Sequence, residues 1–245
     1  GKSETEVLFS TYICHPSMAN NEISGIVIQT YLAKWLQNIK DLHYTYRFVF
    51  LPETIGSIAY LEANLNEIQQ KVQLGYVLSC IGDERAFSIL QNKNPRSYST
   101  RLGKYALSQF DKNYKTYDWR DRGSDERQYG SPAVGLDVCT IMRSKFGEYP
   151  EYHTSLDQLG KVVTRSGLQT SLKLTQFLVQ VIEADRILLN KVTCEPMLSK
   201  HGLYPTLSVK DSVTSVKNIR DILDNADGST SLLMICEKYE LNIIE

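Results

Sequence analysis

Short apolar runs alternate with helical patterns along most of this chain, and each run stops at a polar turn. Val7–Cys14 reads as a buried strand ending at His15-Pro16, and a helical pattern runs from Ile23 to Leu36. Tyr44–Leu51 is rich in β-branched and aromatic residues and stops at Pro52, with a helix beginning near Ser57. Val72–Ile81 forms a third run, closed by Gly82-Asp83-Glu84, and Ala133–Met142 a fourth. Thr100–Asp111 reads as a helix, and Ser166–Leu189 as a long amphipathic one. Runs this apolar on both faces, separated by helices, predict an α/β fold: a mostly parallel sheet covered by helices on either side. In such sheets ligands bind beyond the carboxyl ends of the strands, where the polar clusters of this chain fall.

After Asn190 the pattern changes. Lys191–Leu207 lacks periodicity and reads as a linker, and two short helices follow, near Asp211–Asp224 and Ser229–Tyr239, on either side of Asp227-Gly228. The expected organisation is an α/β domain over 1–190 and a small helical module over 191–245. The opening Gly1-Lys2-Ser3, with no Met, reads as the start of a fragment. With 27 Lys plus Arg against 28 Asp plus Glu in 245 residues, no global field draws the chain to nucleic acid or acidic membranes. Between Lys210 and Glu245 four basic residues face seven acidic ones, which argues against DNA as a partner. No apolar run approaches the ~20 residues that span a bilayer. The five cysteines are scattered without a C-x-x-C pair, which favours buried thiols and a reduced, cytoplasmic setting over a disulfide framework.

Four clusters could carry chemistry. Cys14-His15 ends a strand just before a polar turn that opens a helix, a rigid place for a metal-binding imidazole. Glu53 follows an apolar strand, where desolvation raises a carboxylate toward general-base range. Acid–Arg groups occur at Asp83-Glu84-Arg85 and Asp125-Glu126-Arg127. Glu151-Tyr152-His153 precedes Asp157, a carboxylate near enough to fix the second nitrogen of the imidazole. Each cluster also has an ordinary reading: a capped turn, a helix N-terminus, an ion pair, a surface loop. Their common position after strands is what sets them apart.

Taken in order, Ile13-Cys14-His15-Pro16-Ser17-Met18-Ala19-Asn20, Pro52-Glu53-Thr54-Ile55-Gly56-Ser57, Ser124-Asp125-Glu126-Arg127-Gln128-Tyr129 and Glu148–Asp157 resemble the bacterial aminopeptidase-like proteins of the DUF4910 type. These are relatives of the zinc aminopeptidases of clan MH, family M28. The tail, from Glu195-Pro196 through Gly202-Leu203-Tyr204-Pro205, resembles that family's winged-helix-type module. Full-length members also carry an N-terminal portion with an inserted β domain, absent from this sequence. The resemblance implies a phosphorylase/hydrolase-like three-layer α/β/α sandwich with zinc above the sheet. It further implies His15 and His153 as metal ligands and Glu53 as the general base.

Three positions depart from the M28 pattern. Asn21 stands where the zinc-bridging aspartate belongs, with Glu22 in the place of the following Asn. Thr54 replaces a ligand glutamate, and Ser79 a ligand aspartate, with Asp83 close by. The Thr54 and Ser79 departures are shared with the DUF4910-type proteins, whereas Asn21 is particular to this chain. A neutral amide bridges two dications poorly, so one zinc is expected, with His15, His153, Asn21 and Asp83 as the candidate metal set. Asp125, Glu126 and Tyr152 are the candidate substrate-binding residues. The implied activity is zinc-dependent hydrolysis of an amide bond in a peptide or an N-acylated small molecule. The competing expectation is a degenerate, non-catalytic relative that binds a ligand or partner.

Overall fold

The fold is described from a computed structural model, which covers residues 1–15, 17–203 and 210–244, with backbone alone for 210–214. The chain divides into two compact units, Gly1–Val179 and Gln180–Glu245. Pro16 and the expected tail residues Tyr204 and Pro205 lie outside the described residues.

In the first unit, β1 (Glu6–Tyr12) is buried along its whole length, as its unbroken apolar pattern requires. A single π-helical turn, Ala19–Ile23, leads into α1 (Ser24–Leu36). Gly25 permits that junction: a β-carbon there would meet the Leu78 carbonyl oxygen at 2.4 Å. Next come β2 (Thr45–Leu51), α2 (Ile55–Lys71) and β3 (Val72–Leu78). The chain continues through β4 (Ser88–Leu90), α3 (Tyr98–Ser108), β5 (Lys115–Tyr117), the short α4 (Glu126–Tyr129) and β6 (Val138–Met142). Then comes α5 (Arg165–Ala184), whose first fifteen residues belong to this unit.

The sheet order is β2-β1-β3-β6-β4-β5. The first four strands are parallel; β4 runs antiparallel to β6 and parallel to β5. Fully buried Leu8, Phe9, Leu74, Tyr76, Leu78, Val138 and Ile141 form the centre, each contributing roughly 2 kcal/mol by leaving water. Parallel β1 and β2 both release their chains at the same sheet edge, which brings His15 and Glu53 together.

The second unit contains β7 (Ile187–Leu189), α6 (Lys210–Asn225), β8 (Asp227–Ser231) and α7 (Leu232–Tyr239). The expected helix over 166–189 stops short here. Its last residues form β7, antiparallel to β8, because ladder hydrogen bonds override a helical periodicity that is weak at its end. Gly228, at φ +83°, is the second residue of β8, and the Ser231 side chain caps α7 by accepting from the Met234 N–H. Among the described residues no helix is long and apolar enough to cross a membrane.

Candidate active site

The exits of β1 and β2 place His15 and Glu53 side by side. Cys14, His15 and Glu53 each offer a ligand atom, and those atoms all lie within 4.8 Å of one another. From the far end of the unit, His153 reaches the same spot: its ring stacks on that of His15 with centroids 5.0 Å apart. Tyr152 in turn stacks on His153 at 3.9 Å and 13°, which holds the imidazole plane. Thr54, Cys80 and His153 adopt positive φ of 62°, 47° and 53°. Non-glycine residues take this region at a cost of about 1–3 kcal/mol each, and such strain concentrates at ligand clamps and active sites.

Hydrogen bonds and burial orient the two imidazoles. The His15 Nδ1 lies 3.1 Å from Glu22 Oε2 and 3.2 Å from Cys14 Sγ, and the His15 backbone N–H also donates to Glu22 Oε2. A proton on Nδ1 donated to Glu22 leaves the Nε2 lone pair available; this tautomer is inferred from the hydrogen bonds. Burial, aided by neighbouring His15, holds the His153 pKa below the usual imidazole value, so its ring is uncharged at neutral pH.

The acids around them are short of partners. Glu22 is 1% exposed, its Oε1 has no hydrogen-bond partner, and burial raises its pKa despite His15. Burial likewise raises Glu53 above the ordinary glutamate value, against a hydrogen bond from Ser124 and the pull of His15 and Arg127. Burial also pushes the Cys14 thiol up, although Cys14 is exposed enough to meet a ligand. A buried carboxylate with one oxygen lacking a donor, beside two imidazoles and a thiol, is the environment a single cation satisfies. The donors therefore fit one zinc ion.

They do not fit two. Asn21 Oδ1 accepts from the Tyr12 hydroxyl at 3.0 Å and faces Cys80 Sγ at 3.6 Å. Its Nδ2 is turned toward His153 Nε2 at 3.5 Å. As placed, Asn21 presents an N–H to the pocket rather than a lone pair, so the expectation of a ligand at this position is corrected. The Thr54 hydroxyl accepts from Arg127 at 2.7 Å, and Ser79 is fully buried.

Asp83 is corrected as well. Its carboxylate accepts from Asn20 Nδ2, the Arg85 N–H, and both the N–H and hydroxyl of Ser144 at 2.9–3.0 Å. No lone pair remains for a cation. Glu126, expected to touch substrate, is fully buried and accepts from the Gly123 and Ser124 N–H groups and the Thr140 hydroxyl. Asp125 is also fully buried; its Oδ1 accepts from the Thr54 N–H and the Ser57 hydroxyl, both at 2.8 Å. It supports the strained turn under Glu53 instead of facing substrate. Asp157 does not bond His153. It accepts from the Asn20 and Asn21 N–H groups and the Tyr149 hydroxyl, anchoring the π-helical turn. Of the expected substrate residues, Tyr152 alone stays at the pocket, with burial raising its hydroxyl to about 12.

Sequence reasoning gave Cys14 no role of its own and counted Glu22 only among several acids that could assist the two histidines. The signal was present: Cys14 directly precedes the strand-exit histidine, and Glu22 lies seven residues beyond that histidine, in the turn that opens α1.

Comparison with known proteins identifies the family and the fold. The family profile described as a domain of unknown function, DUF4910, matches residues 1–185, and a winged helix-turn-helix profile matches 186–245. A Clostridium acetobutylicum protein, named for polysaccharide biosynthesis with an aminopeptidase-like domain, is 36% identical over 240 residues. The match covers 97% of this chain and 54% of that protein, so the chain spans about half the length of this relative. A crystal structure from the same organism, named as a peptidase, superposes with a TM-score of 0.89 at 34% identity, covering 99% of this chain and 54% of that one. BSAP, a zinc aminopeptidase from Bacillus subtilis, shares the fold at a TM-score of 0.59 and 18% identity, covering 74% of this chain and 47% of its own. With an aminopeptidase-like α/β sandwich followed by a winged helix, the chain belongs to the DUF4910 family.

Proposed function

We propose that this chain forms the catalytic portion of a zinc-dependent amide hydrolase of aminopeptidase type. One observation carries the reading: imidazoles from opposite ends of the α/β unit stack at 5.0 Å beside a desolvated glutamate and a thiol. His15 and His153 would hold one zinc, with Cys14 as third donor and Glu22 orienting His15 through Nδ1. When bound, zinc supplies polarisation of the scissile carbonyl and an acidified water. Glu53 accepts the water's proton at its carboxylate and passes it to the departing amine nitrogen, a role suited to its raised pKa. Tyr152 holds the His153 ring and closes one wall of the pocket. The name of the Bacillus subtilis neighbour supports zinc; those of the two Clostridium proteins support a peptidase-like hydrolase.

The test is hydrolysis of aminoacyl and N-acetyl amide substrates by the purified protein, with and without zinc. Turnover should require the metal and fall about 10²–10⁴-fold in Glu53→Gln. Equal turnover by metal-free protein, or by Glu53→Gln, contradicts the reading. A second reading, a non-catalytic ligand-binding relative, is favoured by Asn21, whose amide faces His153 where a ligand carboxylate would bind metal. It predicts zinc binding with no turnover of either substrate class.

A further inference from the structure

A cavity of about 310 Å³ is lined by Arg85, Lys115, Arg143 and Lys145, with Glu148 the sole acid among its lining residues. Arg143 is 6% exposed, and its guanidinium carbon lies 3.8 Å from the Phe87 ring centroid. Its Nε and Nη1 have no hydrogen-bond partner. A guanidinium taken out of water without acceptors is costly, and burial accordingly lowers the Arg143 pKa despite Asp83 nearby.

The neighbouring acids are already engaged. Asp83 accepts from Asn20, Arg85 and Ser144, and Glu84 accepts from the Thr164 hydroxyl. Glu148 accepts from the Tyr117 hydroxyl at 2.6 Å and lies 3.7 Å from Lys145 Nζ, and Glu151 forms two 2.8 Å bonds with Arg85. The lining carries four cations against one acid, and the buried Arg143 guanidinium lacks acceptors for two of its nitrogens. A phosphate oxygen supplies such an acceptor. Tyr117, Tyr149 and Pro150 also line the cavity and supply a wall for an attached organic group.

We propose that this cavity binds the phosphate group of a small molecule, with Arg143 as its principal contact and Lys115 and Lys145 as supporting cations. The site borders the loop that carries the histidine cluster. Tyr149 donates to Asp157, and Glu151, held by Arg85, lies two residues before His153. The inference does not rest on the metal reading, because no metal donor takes part.

The test is calorimetric titration of the metal-free full chain at constant ionic strength with inorganic phosphate, glycerol phosphate and acetate. Phosphate should bind at one site, and acetate at least tenfold more weakly. Arg143→Met should weaken phosphate at least tenfold without lowering the thermal midpoint of the ligand-free protein. Should that variant fail to fold, Lys115→Ser, on an exposed residue, should weaken phosphate at least threefold. Glycerol phosphate binding tighter than inorganic phosphate assigns the tyrosine wall to an organic group, and equal binding assigns the site to free phosphate; either supports the proposal. Absent phosphate binding, acetate binding of equal strength, or affinity unchanged in both variants overturns it.

Discussion

Two regions beyond the carboxyl ends of the strands hold buried acids in opposite condition. Around Asp83, Glu126 and Asp157, donors saturate the carboxylates, most of them backbone N–H groups of the loops that those acids tie down. Around His15, Glu22 and Asp125 each keep an oxygen with no partner, and Glu53 is desolvated beside the histidines. Position after a strand does not separate the two regions, since both occupy it. The supply of hydrogen-bond donors does: saturated acids hold the loops, and undersupplied acids are left for a cation, a proton or a substrate.

The largest test of that contrast is Asp83→Ala. It strands donors on Asn20, Arg85 and Ser144 in a buried loop and should lower stability by about 3–5 kcal/mol in urea denaturation. Glu53→Gln should change stability by less than about 1 kcal/mol in the same measurement. Equal losses from the two variants would erase the distinction between the regions.

Asp125 sharpens it through pH. Burial raises its pKa from the ordinary 3.8 to about 6, outweighing the bonds from Thr54 and Ser57. Because the folded form holds its proton more tightly than the unfolded form, this group favours folding below about pH 4. That contribution is lost as pH rises through about 6. Asp125→Asn keeps an acceptor for Thr54 and Ser57 and removes the charge. It should raise stability at pH 8 by about 2–3 kcal/mol and flatten the profile between pH 4 and 6. A variant less stable than wild type at pH 8 would show that the carboxylate is needed ionised.

The smallest expected effect is on affinity. Asn21→Asp replaces an N–H facing His153 with a charged acceptor and should tighten zinc binding about tenfold, or about 1.4 kcal/mol. Unchanged affinity would mean that position 21 lies outside the metal's reach.

Much of this was legible in the sequence, for definable reasons. Strand exits are marked by the change from an apolar run to a polar turn, so His15 and Glu53 could be placed above the sheet from Tyr12 and Leu51 alone. His153 stands out only by its place after a turn and before Asp157, since a loop histidine has no periodicity to betray it, and its role as a ligand comes from the resemblance. The saturated acids were misread because a carboxylate's partners are set by loops far apart in sequence: Asp83 meets Asn20 and Ser144, and Asp157 meets Asn20 and Asn21. The short strands β4, β5, β7 and β8 carry three to five residues each, too few for an alternating pattern to stand out. The C-terminal pair of helices was foreseen, but the strand between them depends on β7, which is remote in sequence.

The central claim is that His15 and His153 hold one cation. Elemental analysis of protein equilibrated with zinc and then desalted tests it directly, without reference to activity. The account predicts one zinc per chain in the wild type and almost none in His15→Ala or His153→Ala, with both variants folded by circular dichroism. Zinc retained at full stoichiometry in both variants, or a wild type that takes up none, would contradict it.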